Sequence, residues 1–260
     1  MKKFSVLVPV FFLLTSCGST DESMQFDVAT ADKTISLTTS EKSPMCSVHL
    51  ELLYATEANG NKAEIINNII EQRLLNMQDL SMQQAADSFA NEYTANYHHN
   101  LLPLYNQDLD NEKKGEWYNF HYIIKTSVEQ GYKNSFVYHI YLDYYEGGAH
   151  SINQHLTLNF DQSTGRQLML SDVFITGYEQ KLSTLLQKAL CEHVGVSNLK
   201  ELKNQGYLYS MDMFPSENFI LGKEVMTFIY NPYEIAPYDK GSIELMLSYS
   251  ELDDIIKETL

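Results

Sequence analysis

Positive charge is scarce in this 260-residue chain. Its 18 Lys and Arg residues face 34 Asp and Glu, a formal net charge of −16 at pH 7. A surface so acidic repels phosphate backbones, so nucleic acid is excluded as a partner, and adsorption to anionic lipid is disfavoured. The same charge serves solubility, and it also attracts a strongly basic protein at rates that fall with salt. Cysteine is equally sparse, with three residues and no C-x-x-C pair, which excludes disulfide scaffolds and zinc ribbons. The chain also lacks a G-x-S-x-G elbow, a Gly-rich phosphate loop and an H-E-x-x-H helix. Serine hydrolase, P-loop and zinc-protease chemistry therefore have no residues to carry them. No catalytic set, metal site or cofactor is expected.

Long apolar runs are missing too. The one apolar stretch, Phe4 to Leu14, is bounded by Lys2-Lys3 and Thr15-Ser16-Cys17. It falls short of the roughly 20 residues that span a bilayer. A basic start, a short apolar run and small residues before a cut describe a secretory signal. Leu14 to Cys17 resembles the bacterial lipobox, so residues 1–16 are expected to be a lipoprotein signal peptide, with lipid on Cys17 providing the contact with the membrane. Cleavage would remove Lys2 and Lys3 and make the chain more acidic still. Residues 17–43, rich in Ser, Thr and Asp to about Ser40, read as a flexible tether. Asp21-Glu22 resembles an acidic surface-export signal. The expected location is the cell envelope, on the outer membrane of a Gram-negative bacterium, facing the periplasm or the exterior. With Cys17 lipidated, Cys46 and Cys191 remain, and either a disulfide or two free thiols fits an oxidising compartment.

What is abundant is tyrosine, 18 residues against a single Trp117. Rings with polar tips suit binding surfaces and β-strands alike. Ser47 to Ala55 alternates apolar and polar residues as a strand does. Ile65, Ile66, Ile69, Ile70, Leu74 and Met77 recur at helical spacing. A second helix starts at Ser81, with Gln84 as its capping-box partner, and is expected to end before Pro103. Strands follow over Trp117 to Val128, Ser135 to Tyr145 and Ile152 to Phe160, then a turn at Asp161 to Gly165. Tyr178 to Leu190 is an amphipathic helix and Leu199 to Lys203 a shorter one. Val225 to Tyr230 and Ser242 to Tyr249 are strands, and Ser250 opens a helix running to Leu260. Helices and strands are segregated, so the class is α+β, a mainly antiparallel sheet packed by helices.

Three stretches carry a likeness. They are Tyr145-Glu146-Gly147-Gly148-Ala149-His150 at a hairpin tip, Asn159-Phe160-Asp161 with Thr164-Gly165 and Leu168 to Phe174, and Tyr230 to Tyr238 (YNPYEIAPY) followed by Gly241. Their order and spacing resemble the extracytoplasmic domain family of unknown function found in RsiV-type lysozyme-sensing anti-sigma factors. The likeness covers residues 135–260, and residues 44–134 look like the companion domain that usually precedes it, which also occurs fused to a peptidoglycan deacetylase. It implies an α+β fold similar to a mycobacterial secreted antigen, and recognition in the envelope. The chain has no sigma-binding segment, transmembrane helix or deacetylase domain, so those roles do not carry over.

Read physically, Gly147-Gly148 permits a tight turn or the close approach of another backbone. The two prolines of the 230–238 loop stiffen it and hold its tyrosines in place. The candidate ligand-binding residues are Tyr145, Glu146, Gly147, Gly148, His150, Tyr230, Tyr233, Glu234 and Tyr238. The expected function is a lipid-anchored envelope protein that binds a lysozyme-like basic protein or peptidoglycan fragments without catalysis. A peptidoglycan hydrolase or deacetylase using Glu146, His150 and Glu234 is the enzymatic alternative, and a structural envelope lipoprotein the third.

Overall fold

The computed structural model describes residues 24–108 and 114–258. The signal segment and Cys17 lie outside the described residues. In chain order the elements are β1 (Phe26–Ser36), β2 (Met45–Ala55), α1 (Asn61–Leu75), α2 (Met82–Gln107), α3 (Lys114–Trp117), β3 (Phe120–Gln130), β4 (Ser135–Tyr145), β5 (Ile152–Asp161) and β6 (Gln167–Leu168). They continue with α4 (Leu170–Val173), α5 (Glu179–Val194), α6 (Leu199–Asn204), β7 (Phe219–Leu221), β8 (Val225–Tyr230), β9 (Ile243–Ser248) and α7 (Tyr249–Leu252). The class is α+β, as the segregation of elements implies.

Strands β1 to β6 form one sheet in sequence order. Every pairing in it is antiparallel except β2 with β3, which is parallel. A parallel neighbour needs a crossover, and α1 and α2 supply it, packing on one sheet face. That face buries Val48, Leu50, Leu52, Ile124, Phe136, Tyr138, Ile140, Leu158 and Phe160 against Ile66 and Ile70 of α1. Ala29 and Ala31 of β1 join the same core as Ala85, Ala86 and Ala90 of α2, small residues that let helix and strand approach closely.

Strands β7, β8 and β9 form a second antiparallel sheet. Its core joins Phe219, Phe228, Leu245 and Leu247 to Leu182, Leu186 and Leu190 of α5. The two sheets meet at β5 through asparagine side chains. Asn218 Oδ1 accepts from the Thr157 N–H at 2.8 Å, and its Nδ2 donates to the His155 carbonyl at 2.7 Å. Asn231 Oδ1 accepts from the His155 N–H at 2.8 Å. In return Asn159 donates to the Phe219 carbonyl at 2.7 Å and accepts from the Leu221 N–H at 2.8 Å. A carboxamide offers one donor and one acceptor side by side, as a peptide unit does. These side chains stand in for a missing ladder and cap what would be an open strand edge.

Several expectations are corrected. The expected tether of residues 17–43 contains an ordered strand, β1, paired along its whole length with β2; its fully buried residues are Ala29 and Ala31, too small to register as a hydrophobic period. The division at 134/135 falls in the β3–β4 hairpin, within one continuous sheet. Helix α2 runs through Pro103 to Gln107, because the hydrogen bond that proline forfeits lies near an exposed helix end. Trp117 closes α3 instead of opening a strand. The last helix is a single turn capped by Ser248, not a run from Ser250 to Leu260. Cys46 and Cys191 are free and buried in separate clusters, so the disulfide alternative falls. Among the described residues no helix is long and apolar enough to cross a membrane.

Candidate functional site

The turn between β4 and β5 carries the first motif. Gly147 and Gly148 take φ values of 85° and 104°, a region that side chains avoid. A Cβ on Gly147 would also stand 3.2 Å from the Trp117 carbonyl. The Tyr145 hydroxyl closes the turn by donating to the Gly148 carbonyl at 2.9 Å. Gly147→Val is therefore expected to cost about 1–3 kcal/mol, read as a lower urea midpoint.

Glu146 points the other way, toward α2, where its carboxylate accepts the Tyr93 hydroxyl at 2.8 Å. Burial, then this carboxylate, pushes the Tyr93 phenol well up.

The 230–238 loop comes back to the same turn. The His150 ring stacks on Tyr238, 4.6 Å between centroids and 8° from parallel, and Tyr233 lies 5.5 Å from Tyr238. The Tyr238 hydroxyl donates to the Ser151 carbonyl at 2.9 Å, fastening loop to hairpin. Tyr233 has φ 74° and is 67% exposed, its N–H held by the Ala236 carbonyl at 3.1 Å. Trp117, 56% exposed, brings its backbone carbonyl up to the turn, against the space a Gly147 Cβ would fill.

Two expected ligand residues have other work. Tyr230 is fully buried, its hydroxyl donating to the Phe214 carbonyl at 2.6 Å, so it belongs to the core. Glu234 accepts from the Asn231 N–H at 3.1 Å and closes its own turn; burial raises its pKa. The structure thus joins His150, Tyr233 and Tyr238 at a turn built by Tyr145, Gly147 and Gly148, and leaves Tyr230 in the core and Glu234 tied into its own turn.

Sequence reasoning missed the other face of the large sheet, opposite α1 and α2. His49, His121, His139 and His155 stand there on four successive strands, each beside a carboxylate. His49 bonds Asp32 and Glu51, His121 bonds Asp143 at 3.0 Å, His139 lies 3.3 Å from Glu129, and His155 lies 3.7 Å from Glu244. His139 Nδ1 and His155 Nε2 are 3.0 Å apart. Asp32 and Glu51 raise the His49 pKa, whereas burial lowers those of His139 and His155. Among the described residues no group of three or more His, Cys, Asp or Glu has a geometry that could hold a metal ion. Period-two alternation was the available signal, since each of these histidines falls between inward-facing residues. Beside them a groove of about 320 Å³ opens between Lys125, Tyr141, Asp143, Asn153, His155 and Ser242. A second cleft, of about 310 Å³, lies between α2 and Phe120 and is bounded by Glu146.

Comparison with known proteins places this geometry. The profile of a family described as a protein of unknown function (DUF3298) matches residues 171–250. The fold is similar to the crystal structure of a DUF3298 family member from Bacteroides fragilis, with a TM-score of 0.84 and 28% identity, covering 91% of this chain and 94% of that one. It is also similar to a DUF3298 family protein from Pseudomonas aeruginosa, with a TM-score of 0.63 and 17% identity over 92% of this chain and 96% of that one, a likeness of fold alone. No curated protein matches the chain.

Proposed function

We propose, from the likeness of residues 171–250 to a family of unknown function, that this chain is a recognition module of the cell envelope. Held by lipid on Cys17, it captures a basic extracellular protein of the lysozyme kind and performs no chemistry on it. The observation that carries this reading is the stack of His150, Tyr238 and the exposed Tyr233. Two distant motifs build it. Rings held by prolines and by the Tyr238–Ser151 bond are already ordered and lose little freedom on binding. Tyrosine and tryptophan supply a large share of interface energy where they are central. The net charge of −16 adds long-range attraction for a cationic partner.

The enzymatic alternative has less support. Glu146 and Glu234, the carboxylates a glycosidase would need free, are engaged with Tyr93 and with the Asn231 backbone. Cell-wall glycan, the second ligand class, is favoured by one observation. The groove beside Tyr141 offers a ring, 47% of that residue being exposed, next to Asp143 and Asn153, a pairing of flat face and polar groups that suits a sugar.

Calorimetric titration of residues 18–260 with lysozyme, at low and moderate salt, tests the reading. A Kd in the micromolar range or tighter is expected, weakening with salt. Tyr233→Ala should raise it about tenfold or more, as loss of an interface anchor does. Absence of heat at both salts would overturn the basic-protein reading and move the titration to peptidoglycan fragments.

A further inference from the structure

The cleft between α2 and Phe120 has a composition that selects its occupant. Tyr93, Asn96 and Asn100 recur along one face of α2, Phe120 and Leu101 add apolar walls, and Glu146 closes one end. Glu146 is the only charged residue lining it. Among the described residues it has no Lys, Arg or His partner, its one bond being the neutral Tyr93 hydroxyl at 2.8 Å. The Asn96 and Asn100 side chains make no hydrogen bond to the described protein, so their carbonyl oxygens are free to accept. Beneath them the Cys46 thiol is pushed up to about 12, by burial and then by the charge of Glu146. The cleft is therefore acceptor-rich, negative and partly aromatic.

An anion is repelled here, and an apolar group would desolvate the carboxylate without pairing it, which is costly. A cation on an aliphatic stem meets every feature at once. Its charge pairs with Glu146 and is attracted by the Tyr93 and Phe120 rings, its remaining donors reach the asparagine oxygens, and its methylenes lie on Leu101 and Phe120. We infer that this cleft binds a primary ammonium group on an aliphatic stem, a lysine side chain of the captured protein, with Glu146 as its counter-ion. The inference rests on the proposed function for the source of the lysine, while the chemistry of the cleft stands on its own lining.

The test uses residues 18–260, isotopically labelled, titrated with N-acetyl-lysine methylamide and with its uncharged norleucine counterpart. Chemical-shift changes are expected for Tyr93 to Leu101 and for Glu146 with the lysine compound, and none with norleucine. Glu146→Gln keeps an acceptor for Tyr93 and should leave the thermal midpoint in place, yet weaken the lysine titration tenfold or more. Equal titration by both compounds, or by both proteins, overturns the inference. Lysozyme binding to the same two proteins separates the two readings. A tenfold loss in Glu146→Gln supports both, and undiminished binding there removes the lysine from the cleft while leaving the recognition reading standing. Lysine titration without any lysozyme binding supports the cleft and overturns the basic-protein reading.

Discussion

Asn159→Leu is expected to lower the stability of the chain by about 2–4 kcal/mol, the largest effect of any single polar substitution considered. Asn159 is 1% exposed, and its carboxamide makes two of the direct bonds between the large sheet and β7. Leucine matches its size, so little cavity is created. The Leu221 N–H, however, loses its acceptor inside the protein, and an unmet buried donor costs about 1–3 kcal/mol. The Phe219 carbonyl keeps one donor, the Thr157 hydroxyl at 2.8 Å, which limits the damage on that side. For a protein of this size the change corresponds to a thermal midpoint lower by roughly 5–15 °C. Urea unfolding followed by far-UV circular dichroism checks it, and a shift below about 0.5 kcal/mol would mean that apolar packing holds the junction. Asn159 and Asn231 both belong to the stretches that carry the family likeness, and both are engaged in joining the sheets. Those motifs are thus in part a record of how the fold is fastened, which is why a motif residue such as Tyr230 can be wholly buried.

The parts of the fold that were legible in the sequence are those where large residues keep a period. Strands β4 and β5 were visible because Tyr138, Ile140, Leu158 and Phe160 face the core at alternate positions. Helix α5 was visible because Leu182, Leu186 and Leu190 recur at helical spacing. Strand β1 was not, since its fully buried side chains are Ala29 and Ala31, whose burial depends on the helix that covers them. Helix α2 past Pro103 was not, because a proline near an exposed end costs too little to stop it. At the site, the GGAH turn and the 230–238 loop were each legible as stiff, special backbone. Their stacking through His150 and Tyr238 is a tertiary fact with no local signature. The histidine face was hidden for a different reason. Alternation gives the outward face of each strand separately, but bringing His49, His121, His139 and His155 onto neighbouring strands requires the parallel β2–β3 pairing and the registers of the β3–β4 and β4–β5 hairpins.

Acidification is expected to destabilise the protein below pH 6.5, and the pair His139–His155 is the cause. A contact of 3.0 Å between His139 Nδ1 and His155 Nε2 requires one nitrogen to donate and the other to accept, so the bond survives one charged ring and is lost when both are protonated. Around it stand Glu129 from β3, 3.3 Å from His139, Glu244 from β9, 3.7 Å from His155, and the Tyr141 ring stacked 4.6 Å from His155. His139 Nε2 is buried and finds no hydrogen bond of good geometry despite the nearby carboxylate. Burial lowers both pKa values; the charge of His139 lowers that of His155 further, and the two glutamates oppose the shift without cancelling it. Because the folded values lie below the ordinary 6.5, the unfolded chain takes up protons first. The stability is complete above that pH and is lost as pH falls through the folded values, at about 1.4 kcal/mol for each unit of separation. His49 has the opposite sign, since Asp32 and Glu51 raise its pKa. Its contribution is complete below 6.5 and lost as pH rises through its folded value, but its side chain is one-third exposed and the effect is small. The lowered carboxylates Asp172 and Glu251 act only below their ordinary values of 3.8 and 4.5. Burial raises the pKa values of Glu71 and Glu234, which therefore oppose the loss as pH falls, so it is the comparison of thermal midpoints of the native chain with those of a histidine variant, between pH 8 and pH 5, that isolates the pair. The native chain should lose several degrees over the lower half of that range, and His139→Gln with His155→Gln should flatten the slope there. Parallel slopes for the two proteins would refute the assignment. His155 also lines the groove of about 320 Å³, so repulsion from a charged His139 displaces part of the groove's wall, and a ligand held there should be released over the same interval of pH.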